Sequence, residues 1–203
     1  MIPAERATAI VLAAGQSKRF GPDNKLLHLL DGTALVHHTV ATVVEAGIQN
    51  VIVVTGDDAE SVKIALTDLP ITFVHNATPW AGMGTSLAAG ANAVDADMQA
   101  VFIVLGDMPM LQTSTIKKLL KAADNDDGHD IAVPVHDGRR GHPVLFGKRY
   151  LTKLRALNTD QGAREILHAN PERIRAVPVD DPGTVTDIDT WEDLENLPRL
   201  KGR

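Results

Sequence analysis

Four short apolar runs rich in β-branched residues recur in the first half of the chain: Thr8–Ala13, Asn50–Thr55, Ile71–His75 and Ala100–Leu105. Each is followed by a turn and a segment of helical composition. Runs apolar on both faces need cover from both sides. Alternating strands and helices supply that cover. The order predicts a three-layer α/β/α fold around a mostly parallel, doubly wound, Rossmann-like sheet. Helices are expected at Thr33–Ala46 (closed by Gly47), Asp58–Leu66, Thr85–Val94 and Thr113–Ala123. Aromatic residues are only 3% of the chain, so Val, Leu, Ile and Ala must fill the core.

The rhythm changes near residue 124. Strands are expected at Ile131–Val135, His142–Phe146 and Ile174–Val179, with helices at Lys148–Ala156 and Asp160–His168. Thr190 is placed to cap a last helix over Trp191–Leu197. No linker or repeat intervenes, so residues 1–203 are expected to form one domain. Residues from about 7 to 124 would bind a nucleotide, and those from about 125 to 197 an acceptor.

Composition narrows the partners. The formal net charge is −6 and no basic face is evident, which argues against a nucleic-acid polymer. The chain lacks cysteine, excluding disulfides and thiolate chemistry. No apolar run reaches the ~18 residues of a membrane span. The N-terminal stretch is too acidic, and its apolar part too short, for a signal peptide. A cytoplasmic protein with no membrane partner is expected.

In a doubly wound sheet, ligands bind beyond the carboxyl ends of the strands, and the distinctive loops fall there. After the first strand, Val11–Lys25 reads VLAAGQSKRFGPDNK. Small residues let backbone N–H groups approach an anion, and Arg19 and Lys25 add full charges. The loop matches neither the Walker A nor the Gly-x-Gly-x-x-Gly spacing. It reads as a phosphate cradle or a basic surface loop. Asp107, in Gly106-Asp107-Met108-Pro109, reads as a Mg²⁺ ligand or an Asx turn. Asp187 and Asp189 offer a second carboxylate, with Asp189 and Thr190 equally suited to helix capping. Gly82, Gly84, Thr85 and Ser86 precede a helix, where N–H groups can meet a base edge or phosphate. His142, Arg139, Arg140, Asp160 and Arg164 can receive a second, anionic substrate or form a solvated turn and helix. The adjacent His37 and His38 do not share a helix face and read as structural.

Together these stretches resemble the molybdenum cofactor cytidylyltransferase branch of the MobA-like nucleotidyltransferases. The resemblance spans approximately residues 7 to 197. It rests on Leu12-Ala13-Ala14-Gly15-x-Ser17-x-Arg19-x-Gly21 followed by Lys25, and on Gly82-x-Gly84-x-Ser86-Leu87. Gly106-Asp107-Met108-Pro109, Arg140-Gly141-His142-Pro143-Val144 and Asp187-Ile188-Asp189-Thr190 extend it. Guanylyltransferase relatives usually carry two glycines where this chain has Ala14-Gly15, which favours CTP. The loop is one residue longer than the usual form, and Gln161 stands where a lysine is usual.

The resemblance implies that CTP and a molybdopterin-type cofactor give the cytosine dinucleotide form and pyrophosphate. On it, Lys25 contacts the α-phosphate and Arg19 the β- and γ-phosphates. Leu12, Ala13, Ala14, Gly15 and Ser17 wrap the triphosphate, and Thr55, Gly82 and Ser86 complete the nucleotide site. Asp107 and Asp189 would hold Mg²⁺, or Mn²⁺ in its place. His142 and Arg164 would present the pterin, and a molybdenum hydroxylase would be the recipient. Three rivals stand beside it: a transferase using GTP or a sugar or polyol phosphate, a non-catalytic cofactor chaperone, and an oxidoreductase on the same scaffold.

Overall fold

The protein is described by a computed structural model covering residues 2–15, 20, 24–123, 128–188 and 190–197. Strand β1 (Ala7–Ala13) is followed by a hairpin of β2 (Leu29–Leu30) and β3 (Thr33–Ala34), then by helix α1 (Leu35–Glu45). Next come β4 (Asn50–Thr55), α2 (Ala59–Ala65), β5 (Thr72–His75), α3 (Met83–Asn92), β6 (Ala100–Leu105) and α4 (Thr113–Ala122). The second part holds β7 (Ile131–His136), β8 (Arg139–Arg140), β9 (Val144–Gly147), α5 (Leu151–Arg155), α6 (Arg164–His168), β10 (Ile174–Pro178) and α7 (Trp191–Glu195).

The main sheet runs β10-β7-β9-β6-β1-β4-β5, with β8 paired to β7. Strands β6, β1, β4 and β5 are mutually parallel, as are β7 and β10. Strand β9 lies antiparallel between β6 and β7. The sheet is therefore mixed but mostly parallel, with helices on both faces, as the sequence predicts.

Side chains alternate across it. Ala9, Val11, Val51, Val53, Phe102 and Val104 pack with Val36, Val40, Ile116 and Leu119 of α1 and α4. Ile10, Ile52, Val54, Val101 and Ile103 face the other way, onto Leu87 and Ala91 of α3 and Leu151 and Leu154 of α5. Helix α3 sits very close to the sheet at Gly90, where a Cβ would come 2.5 Å from an Ile10 methyl.

Several boundaries differ from expectation, and three of them have a clear local reason. Helix α1 starts at Leu35 because Thr33 and Ala34 pair with Leu30 and Leu29. That hairpin turns through Asp31 (φ 50°) and Gly32 (φ 84°), the doubly left-handed geometry tight hairpins prefer. Helix α6 covers only Arg164–His168, with Gly162 at φ 57° breaking the expected run from Asp160. Strand β9 begins at Val144, so Pro143 precedes the ladder and removes no donor from it.

Candidate functional site

Strand β1 lies between β4 and β6 in parallel register, with Leu12 opposite both Val54 and Leu105. Three strand ends thus open side by side onto one cleft. Ala13, Ala14 and Gly15 line a cavity of about 230 Å³ there, together with Asn24, Asp57 and Asp58. A side chain at Gly56 would crowd it, since a Cβ would lie 3.0 Å from the Ala14 carbonyl oxygen and 3.2 Å from Pro79.

Asn24 sets up Lys25. Its side-chain oxygen accepts the Leu26 N–H at 3.0 Å and its amide donates to Asp58 at 3.0 Å. This caps a 3₁₀ turn over Lys25–Leu27. Lys25 Nζ then donates to Asp107 Oδ2 at 2.6 Å and to the Ile188 carbonyl at 2.7 Å. The two side chains are only 15% and 13% exposed, so this is no ordinary surface ion pair.

Burial pushes the Asp107 carboxyl above its usual range; the Lys25 ammonium pulls it down and the Asp187 charge pushes it up again. Its second oxygen, Oδ1, is buried and has no hydrogen-bond partner among the described residues. A carboxylate oxygen only accepts, and leaving one buried without a partner is costly. A divalent cation bound with a polyphosphate would satisfy it. Asp187 is a second carboxylate within electrostatic reach, and one or two carboxylates plus substrate oxygens suit Mg²⁺ or Mn²⁺. Among the described residues no cluster of three or more ligating side chains is found.

Other site residues are placed as follows. Thr55 is fully buried at the end of β4, its hydroxyl donating to the Val74 carbonyl at 3.4 Å. Ser86 is buried and accepts from Asn76 Nδ2 at 2.9 Å. Gly82 (φ 112°) packs against Asp160, and the Gly84 N–H donates to the Thr159 carbonyl at 2.9 Å, so that N–H is already engaged. The His142 ring is surrounded by protein, which holds its pKa below the usual 6.5; Asp187 opposes the shift and Arg164 adds to it. Charge interactions thus link Asp187 to Asp107 and to His142, and Arg164 to His142. Ser17, Arg19 and Asp189 lie outside the described residues.

A family model, the MobA-like NTP transferase domain, matches residues 9–174. The chain belongs to that family. Its MobA-like fold extends across solved relatives. The Rv0371c homologue from Mycobacterium sp. strain JC1 superposes with TM-score 0.79 at 30% identity, covering 94% of each chain. Rv0371c of Mycobacterium tuberculosis H37Rv, solved in complex with manganese, gives 0.75 at 24% identity over 95% and 97% of the two chains. In sequence, nicotine blue oxidoreductase of Paenarthrobacter nicotinovorans is 29% identical over 195 residues, 94% of this chain and 95% of that one.

Reading the sequence overlooked two residues that organise this MobA-like cleft. Buried Asn76 donates to Thr85 and Ser86 and accepts from the Thr78 N–H, fixing the turn before α3. Buried Asp181 accepts from Gln112 N at 3.0 Å, Thr115 Oγ1 at 2.7 Å and Gly183 N at 3.0 Å. It anchors residues 181–188, which then pass the cleft: the Thr184 carbonyl accepts the His142 N–H, and the Ile188 N–H donates to the Asp107 carbonyl. The Asp-Asp-Pro-Gly run at 180–183 signals a turn, but nothing in it names α4 as the partner.

Proposed function

We propose that this chain joins CMP from CTP to a molybdopterin-type cofactor, with release of pyrophosphate. A phosphate oxygen of the pterin attacks the α-phosphorus, an O–P bond forms, and the bond to the bridging oxygen of the pyrophosphate breaks. The nucleophile is already an anion, so no general base is required. The barrier lies in bringing anions together and in the charge that grows on the leaving group.

The observation that supports this reading most is the Lys25–Asp107 pair, buried at the carboxyl ends of β1 and β6, with one Asp107 oxygen lacking a partner. In this reading Lys25 neutralises the α-phosphate as it is attacked, and Arg19 binds the β- and γ-phosphates. The backbone from Leu12 through Ser17 would wrap the triphosphate, and Thr55, Gly82 and Ser86 would complete the nucleotide site. Asp107, with Asp187 or Asp189, would hold Mg²⁺ or Mn²⁺, which when bound withdraws charge from the α-phosphate. The manganese of Rv0371c supports a divalent ion on this fold. His142, kept neutral by its surroundings, and Arg164 receive the pterin phosphate side. The choice of CTP rests on Ala14-Gly15, and the product would pass to a molybdenum hydroxylase.

Pyrophosphate release with each ribonucleoside triphosphate, tested against molybdopterin, sugar phosphates and polyol phosphates, checks the proposal. It is expected only with CTP, molybdopterin and a divalent metal; release with GTP or a sugar phosphate instead would replace it. A second reading is supported by nicotine blue oxidoreductase, which matches almost end to end and carries a redox name. Binding or oxidation of NADPH or NADH by this chain, without triphosphate turnover, would favour that reading.

A further inference from the structure

Thr39 lies in the second turn of α1 and is fully buried, yet its hydroxyl is not used to pack that helix alone. Its Oγ1 is 3.1 Å from the Gly106 carbonyl oxygen and 3.4 Å from that of Leu35. The same oxygen accepts the Met108 N–H at 3.2 Å. A hydroxyl has one proton to donate and two lone pairs to accept with. The shorter contact takes the proton, so the hydroxyl bridges the carbonyl just before Asp107 and the amide just after it.

Two further backbone groups of this turn are tied as well. The Gly106 N–H donates to the Leu12 carbonyl at 3.0 Å, and the Asp107 carbonyl accepts the Ile188 N–H at 3.3 Å. The backbone at Gly106 lies so close to β1 that a Cβ there would sit 2.7 Å from the Leu12 oxygen, so only glycine fits. Of all these ties, only the Thr39 bridge is made by a side chain, and it brackets Asp107, the one carboxylate among the described residues with an unpartnered buried oxygen. Ordinary packing needs only a residue of this volume at position 39, and valine would supply that.

We propose that Thr39 is a positioning residue: its hydroxyl fixes the backbone on both sides of Asp107 and thereby aims Oδ1 at the divalent cation that accompanies the triphosphate. This inference rests on the nucleotidyltransferase reading above. Thr39 touches no substrate. It acts through Asp107, so its loss should change metal binding and the chemical step more than triphosphate capture by the other groups of the cleft.

The test uses the full chain with Thr39→Val, which removes the hydroxyl at nearly constant volume, and Thr39→Ser, which keeps it. Free Mn²⁺ is followed by electron paramagnetic resonance in the presence of CTP. Amide exchange of the 106–110 peptide is followed in metal-free protein. Thr39→Val is expected to weaken Mn²⁺ binding about 10-fold, since the bridge is worth on the order of one or two hydrogen bonds. It should lower kcat by a similar factor with KM for CTP within about 3-fold, and speed exchange at 106–110. Thr39→Ser should restore all of these to within about 3-fold. If Thr39→Val does not fold, Thr39→Ala takes its place with the same expectations. Unaltered Mn²⁺ affinity and exchange in the folded variant, with only a lowered Tm, would overturn the inference alone. Absence of Mn²⁺-dependent CTP binding in the unaltered protein would overturn the parent reading, and this one with it.

Discussion

The parallel half of the sheet (β6, β1, β4 and β5) and the mixed half (β7 to β10) solve different problems. In the parallel half, β6, β1 and β4 are continuous apolar runs buried on both faces, the edge strand β5 is more exposed, and helices of 7 to 11 residues lie over the sheet. The groups to which chemistry is proposed lie at aligned strand ends: Ala13 to Gly15, Lys25 and Asp107. In the mixed half the helices are only 5 residues long, too short to hold by themselves. They are held by packing into the shared apolar core and by polar ties to the first half: Asp181 to α4, and Ile188 to Asp107 and Lys25. The lesson is a division of labour. The parallel half should fail chemically when damaged, and the mixed half should fail structurally or in recognition.

The largest effect should come from the parallel half. Lys25→Ala is expected to lower kcat by about 10³-fold or more, as removal of a charge that stabilises a transition state does. Its unfolding should stay cooperative. Activity within ~10-fold of the unaltered protein would take Lys25 out of the mechanism and blur the comparison.

Asp181→Ala should show the opposite pattern. It strips three donors of their buried partner, which is worth about 3 kcal/mol of stability in urea unfolding at constant m-value. Its kcat at saturating substrates, measured well below the transition, should change less than about 5-fold. A large kcat loss without a stability loss would place Asp181 on the chemical side instead.

The smallest effect concerns His142. Its folded pKa lies below the usual 6.5 because burial disfavours the imidazolium. Between those two values the unfolded chain binds more protons than the folded one. The stability linked to His142 is therefore fully present above pH 6.5 and drains away as pH falls through the folded pKa. His142→Gln should flatten the acid limb of a stability-versus-pH curve while raising KM for the acceptor. An unchanged acid limb would show that His142 is not held neutral.

The same division explains what could be read from residues alone. The bounds of β4 and β6 match expectation residue for residue, because an apolar run closed by Gly56 or Gly106 has one obvious reading. Lys25 and Asp107 stand out as charges next to such runs. The β2–β3 hairpin stays hidden because its strands are two residues long and look like the start of the next helix. The shortened α6 is hidden because Asp160 to His168 has helical composition, while Gly162 takes a left-handed φ. Asn76, Asp181 and Thr39 are single polar residues whose partners are distant in sequence, and no local pattern announces such a pairing.

The bond from Lys25 to the Ile188 carbonyl spans 163 positions, and that from the Trp191 indole N–H to the Phe20 carbonyl spans 171. Translation runs from the N-terminus, and the local strand–helix units of the first half can assemble while later codons are still being read. The residues that complete the cleft are made after every strand of the sheet. A ribosome-bound chain can thus carry a nearly finished scaffold whose Lys25 and Asp107 still await their final neighbours, and a product stalled before residue 188 would keep most of its core yet leave that cleft unfinished.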